Sequence, residues 1–125
     1  MNRDSYKALV SLTWLALPIA ALNYWRAWDR LPMRMAVHFD ANWQPNGYTS
    51  REEAAMLGIG ILAFMLVVFT IAALAARSLK REASWPVLII FYVVLGFVWY
   101  GNHSIVKWNL DAQRPRQFYE IRVPQ

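Results

Sequence analysis

The feature that most constrains this chain is an uncharged run of 23 residues, residues 54–76. Its side chains are mostly aliphatic or aromatic. A helix of this length rises about 34 Å, enough to cross the roughly 30 Å hydrocarbon core of a bilayer. Glu53 and Arg77 bound the run with charge. Because a soluble protein of 125 residues could not bury a helix that is apolar on every side, the run predicts a transmembrane helix.

Two further uncharged runs, residues 8–25 and 84–101, are also long enough to span a bilayer. The first could be a secretory signal peptide, but its apolar run is longer than a usual signal core, which favours a spanning helix. Pro18 lies in its middle and predicts a kink. With a hydrophobic fraction of 58%, we expect a single all-α integral membrane domain, residues 1–125, with three transmembrane helices.

The segments between and after these helices, residues 26–53 and 102–125, are predicted to form an outer loop and an outer tail. Residues 33–40 alternate apolar and polar side chains, the period of a half-buried strand. Residues 117–123 alternate in the same way, so we expect a short strand pair in a small extracytoplasmic cap. Residues 1–7 and 77–82 hold five Lys or Arg in 13 residues. This density favours a cytoplasmic N-terminus in a bacterial inner membrane.

The end of the outer loop carries two local signals. Gln44-Pro45-Asn46-Gly47 is typical of a turn, because Asn and Gly tolerate positive φ. Ser50 and Glu53 have the spacing of a capping box, which would begin the central helix.

The loop motifs resemble a small bacterial membrane domain of unknown function that forms the N-terminal part of SdpI-type proteins. Those proteins act in immunity and signalling against a sporulation-delaying toxin, so the resemblance implies a role of that kind. It covers about residues 28–60, and Trp43 stands where the family usually has Gly. The family has no agreed catalytic residues. The matching segments, in chain order, are Leu31-Pro32, Val37-His38-Phe39-Asp40, Pro45-Asn46-Gly47-Tyr48 and Ser50-Arg51.

His38, Asp40 and His103 are the sharpest candidate for chemistry. All three are expected on the outer side of the membrane, and two His with one carboxylate can hold Zn²⁺ or a similar ion. The alternative is structural: His38 would bond a backbone carbonyl in the outer cap while Asp40 caps a turn.

Other classes of function find little support in the sequence. The chain contains no Cys, so it has no thiolate ligand or Cys nucleophile. No nucleophile–base pair stands out, and Gly58-Ile59-Gly60 lies inside a predicted span where it cannot act as a phosphate loop. No predicted span contains a charge, the usual mark of an ion path. No nucleic-acid motif accompanies the net charge of +5. We expect no enzyme activity, no cofactor and no nucleic-acid partner.

Contact surfaces are better supported. Ala54 and Gly58 are small residues at helical spacing, which allows close helix approach, either to a partner or within the three-helix bundle. Trp14 lies deep in the first span, where its N–H needs a partner. Trp43 lies at a turn tip and either anchors a partner or folds back over the cap. We predict a non-enzymatic accessory subunit of a larger membrane assembly, for example respiratory or photosynthetic, that contacts lipids and that assembly or a second copy. The alternative is an SdpI-like toxin-immunity or signalling protein.

Overall fold

The computed structural model describes residues 2–112. It is mostly helical, with a small two-stranded sheet inserted between the first and second spans. The first span consists of two helices separated by a 3-10 turn at Thr13–Leu15. The α-helices are α1 (Arg3–Leu12), α2 (Ala16–Ala27), α3 (Arg51–Leu79) and α4 (Ser84–Asp111).

The prediction of three membrane-spanning helices is confirmed in length and composition. The three segments long and apolar enough to cross a membrane are Arg3–Arg30, Arg51–Leu79 and Arg81–Asp111. Only 22% of the most apolar window of each is buried inside the protein. Large side chains such as Phe64 and Phe97 therefore face outward, as expected where lipid surrounds the bundle.

The helical ladder of the first span is interrupted next to Pro18. Because Pro18 has no N–H, the carbonyl of Trp14 lacks its usual donor four residues later. The chain tightens into the 3-10 turn just before this position, where the hydroxyl of buried Thr13 donates to the Val10 carbonyl at 2.5 Å. The kink predicted at Pro18 itself stays a prediction.

The strand pair is a hairpin within the outer loop. Strand β1 (Arg34–Phe39) pairs antiparallel with β2 (Pro45–Ser50), with Arg34 opposite Ser50 and Phe39 opposite Pro45. Within the described residues, the strand paired with β1 is therefore β2, which follows it through a short local turn. The possible strand at 117–123 itself lies outside the described residues.

The hairpin turns at residues 40–44, earlier than predicted from Gln44-Pro45-Asn46-Gly47. The Asp40 carboxylate accepts the backbone N–H groups of Asn42 at 2.8 Å and Gln44 at 2.9 Å. Asn46 and Gly47 lie within β2, and the missing side chain of Gly47 lets the β2 backbone lie close to His38 of β1. A Cβ at Gly47 would lie 2.8 Å from the His38 Cβ, which is too close.

β1 does not alternate strictly. Val37 is left without a partner, because Ala36 pairs with Tyr48 while His38 pairs with Gly47. This bulge changes which side chains face the core. Met35 and Ala36 are both fully buried, whereas Met33, predicted on the same face as Met35, is 77% exposed.

The central helix begins as predicted. Ser50 is the N-cap of α3, and its Oγ accepts the Glu53 N–H at 3.1 Å. The Glu53 carboxylate accepts from the Thr49 hydroxyl, so only the forward half of the capping box forms. Arg51 lies 4.8 Å from the Trp28 ring centroid and donates to the Trp28 carbonyl at 3.1 Å. These contacts join the end of the first span to the start of the second.

α4 continues past Gly101, where the third apolar run ends, to Asp111. Its last turns pack beneath the hairpin, where Val106 joins a buried cluster with Tyr24, Met35 and Ala54. Residues 102–111 therefore belong to a helix and support the hairpin, instead of forming part of an irregular tail.

Candidate functional site

A groove lies beneath the hairpin, where α2, α3 and α4 meet. It encloses a volume of about 330 Å³ and opens on the outside of the bundle. Its lining is mostly apolar. We refer to it as the hairpin groove; it is lined by Tyr24, Val37, Ala54, Leu57, Gly58, Ile61, Val98, Gly101, Asn102 and Ile105.

The polar floor of the hairpin groove is built around Asn102. Its Oδ1 accepts the Tyr24 hydroxyl at 3.3 Å, and its Nδ2 donates to the Gly58 and Val98 carbonyls, each at 3.3 Å. One amide therefore links all three helices that form the groove. Neither Tyr24 nor Asn102 was singled out from the sequence, although Asn102 follows directly on the third apolar run.

Gly58 makes this arrangement possible. A Cβ at this position would lie 2.1 Å from Asn102 Oδ1 and 2.9 Å from the Tyr24 hydroxyl oxygen. The close approach that Gly58 was predicted to allow is therefore made within the bundle, to α2 and α4. Ala54, the other member of the predicted pair, is buried and also lines the groove.

Gly101 forms an open part of the groove wall. Among the described residues, nothing lies within 4 Å of where its Cβ would be. Val37 reaches the groove from the hairpin, at the bulge in β1. The groove therefore has open space for apolar groups of another molecule close to the backbone of α4.

Trp14 finds a partner for its N–H inside the bundle. Its Nε1 donates to the Thr70 hydroxyl oxygen at 2.9 Å, which links the first span to α3. The indole is 37% exposed, so part of its ring still faces outward. A contact between Trp14 and another protein stays a prediction.

Trp43 is displayed at the tip of the hairpin. Its side chain is 75% exposed, and its ring centroid lies 6.5 Å from that of Phe39. It is the single non-Gly residue of positive φ within residues 2–112, with φ of 59°. This left-handed conformation is one that Gly adopts without steric cost, which explains physically why Gly suits this position.

The proposed metal ligands are not brought together. His38 Nδ1 lies 2.5 Å from Asn46 Oδ1, across the hairpin. Asp40 caps the turn, and the His103 ring stacks on Trp99 with centroids 5.3 Å apart. Within the described residues no three His, Cys, Asp or Glu side chains form a group that could hold a metal ion. The metal hypothesis is therefore corrected: His38 has an amide partner, and Asp40 has the turn-capping role given as its alternative.

A known family model matches part of the chain. Residues 14–63 match the model of a domain of unknown function, DUF1648. The match runs from Trp14 through the hairpin into α3. It includes the loop motifs and all of the groove lining except the residues of α4. No curated protein and no solved structure matches the chain.

Proposed function

We propose that this protein is a non-enzymatic accessory subunit that packs against a larger membrane-protein assembly, such as a respiratory or photosynthetic one. The observation that carries the proposal is the hairpin groove, an opening of about 330 Å³ on the outside of the bundle. The occupant we propose is a transmembrane helix of the partner assembly.

The shape and chemistry of the groove support this occupant. The groove lies along the apolar spans of α3 and α4, so whatever fills it in a bilayer must satisfy its own backbone hydrogen bonds, as a helix does. Gly101 leaves room for a second backbone to approach α4 closely, and small residues at such positions favour helix association.

Trp43 offers a second contact on the same side of the membrane. A non-Gly residue of positive φ costs about 1 kcal/mol or more, so the hairpin carries a backbone strain to display this indole. Exposed Trp side chains are frequent anchors in protein interfaces. The proposed interface therefore runs from the groove to the hairpin tip.

The experiment is affinity purification of the full chain from its native membranes in mild detergent, followed by mass spectrometry. Gly101→Leu fills the open wall, whereas Gly60→Leu adds the same side chain at another position with nothing within 4 Å. Gly60 does not line the groove. The proposal predicts a stoichiometric partner with wild type and Gly60→Leu, and its loss with Gly101→Leu. A monomer in all three samples would contradict it.

An SdpI-like immunity or signalling role is the second candidate. It is favoured by the resemblance of the motifs from Leu31 to Arg51, which build the hairpin, to those of SdpI-type proteins. These motifs lie within the segment that matches DUF1648. In this proposal the hairpin faces the outside of a bacterial inner membrane and the N-terminus is cytoplasmic. Deletion of the gene should sensitise cells to a secreted peptide toxin; unchanged sensitivity would count against immunity.

The orientation has its own test. Because the chain contains no Cys, Trp43→Cys supplies a unique thiol at the hairpin tip. This thiol should react with an impermeant maleimide in intact cells, and protection from the reagent would overturn the proposed orientation.

A further inference from the structure

A second pocket lies at the opposite end of the bundle from the hairpin. It is formed by the start of α1, the end of α3 and the connection to α4, and encloses about 470 Å³. Four basic side chains line it, together with the Ser78 hydroxyl and apolar Leu74. We refer to it as the basic pocket; the four are Arg3, Lys7, Arg77 and Arg81.

Tyr6 holds the walls of the basic pocket together. Its hydroxyl donates to the Ala73 carbonyl at 2.8 Å and lies 3.3 Å from the Ser84 carbonyl oxygen. The phenol is 1% exposed and therefore fixes α1 against the ends of both other spans. The Ser84 hydroxyl in turn donates to the Arg81 carbonyl at 2.6 Å, which ties the connection to the start of α4. The cations are thus presented by a fixed backbone.

Within residues 2–112, no acidic side chain lines the basic pocket. Asp4 in the start of α1 and Glu82 in the connection to α4 are the acidic residues nearest in sequence to its lining, and neither lines the pocket. The Arg77 guanidinium lies 5.3 Å from the Tyr6 ring centroid, which orients it at the pocket wall. Arg3, Lys7 and Arg81 are exposed at its rim.

We infer that the basic pocket binds the phosphate-bearing headgroup of an anionic phospholipid. Guanidinium and ammonium groups and a Ser hydroxyl are donors suited to phosphate oxygens. The pocket lies where the apolar spans end, so a lipid could place its headgroup among the cations and its acyl chain along Leu74. A free phosphate would use the cations and leave the apolar wall empty. This site is separate from the hairpin groove and does not depend on the accessory-subunit proposal.

The test is equilibrium binding of dioctanoyl phosphatidic acid to the purified full chain in neutral detergent. The double variant Lys7→Gln/Arg81→Gln removes two rim cations. The control, Lys107→Gln/Arg34→Gln, removes two exposed cations at the hairpin end and has the same net charge. Because each Lys or Arg beside an anionic surface strengthens binding by about fivefold, we expect the first variant to bind roughly 30-fold more weakly and the control to bind like wild type.

Three outcomes would overturn the proposal. An equal loss in both double variants would indicate attraction to net charge without a site, and unchanged binding in the first would remove the cations from it. Competition by equimolar inorganic phosphate would assign the pocket to free phosphate in place of lipid. Folding is checked by the thermal unfolding midpoint in neutral detergent without phosphatidic acid. If the rim variant unfolds early there, Arg81→Gln alone replaces it, with a proportionately smaller loss expected.

Discussion

The side chain of Asn109 forms two hydrogen bonds with the backbone of Ala36. Its Oδ1 accepts the Ala36 N–H and its Nδ2 donates to the Ala36 carbonyl, each at 2.9 Å. The second Nδ2 hydrogen goes to the Ile105 carbonyl at 2.8 Å, so both N–H donors of the buried amide are used. The hairpin is thus fixed to the last turns of α4 beside the bulge that directs Val37 into the groove.

Replacing Asn109 should therefore release the hairpin. Asn109→Leu leaves the buried N–H and carbonyl of Ala36 without these partners, which should lower the free energy of unfolding by about 2–4 kcal/mol. Hydrogen exchange at β1 should accelerate at the same time. Lys107→Leu, an exposed change two residues earlier, is the control and should leave both quantities near wild type. Unchanged exchange at β1 in Asn109→Leu would show that the hairpin is held by other contacts.

Gly58 should tolerate no side chain. Gly58→Ala forces Asn102 or Tyr24 to move and should destabilise the protein by about 1–3 kcal/mol in thermal unfolding, and Gly58→Leu by more. Gly60→Ala, with open space around its Cβ, should be neutral or slightly stabilising. Adding Asn102→Ala to Gly58→Ala should recover part of the loss, because it removes the closest obstructing group. Equal stability of the two Gly→Ala variants would contradict this packing.

Trp14 and Thr70 should be energetically coupled. A double-mutant cycle with Trp14→Phe and Thr70→Val isolates the hydrogen bond between the first span and α3. Side-chain hydrogen bonds between membrane helices contribute about 0.6–1.7 kcal/mol, so we expect a coupling in this range from unfolding measurements in detergent. Additive effects of the two substitutions would argue against the bond.

Trp43 should separate backbone strain from partner binding. Trp43→Gly removes the indole and also the steric strain of a positive φ, because Gly adopts this angle freely. Trp43→Ala removes the indole but keeps the strain. We expect Trp43→Gly to be about 1 kcal/mol more stable than Trp43→Ala. Both should keep the fold and loosen the partner to the same extent. Unaltered co-purification of the partner with either variant would remove Trp43 from the interface.

The three spans could be predicted from the sequence because each is a long run of residues without charge, a signal that many residues share. The Ser50 cap and the Asp40 turn were readable because each depends on groups within four residues. By contrast, β2 was missed because Asn-Gly is typical of a turn, and only its cross-strand contact with His38 shows why Gly47 is needed in a strand.

The groove could not be predicted because it depends on contacts distant in sequence. Asn102 resembles the polar end of a helix, yet its amide points inward to Gly58, 44 residues earlier. His103 resembles a ligand, but its ring stacks on Trp99 one turn away. In both cases a polar residue after an apolar run continues the helix, because it finds a partner inside the protein.

The central claim, that the hairpin groove receives a helix of a partner assembly, is tested most directly by single-cysteine crosslinking in native membranes. Because the natural chain has no Cys, Gly101→Cys and Gly60→Cys each supply a unique attachment point for a thiol-reactive photocrosslinker. The account predicts a crosslink from position 101 to one membrane protein of a larger assembly, and none to that protein from position 60. A crosslink from position 101 only to lipid or to a second copy of this chain would contradict it.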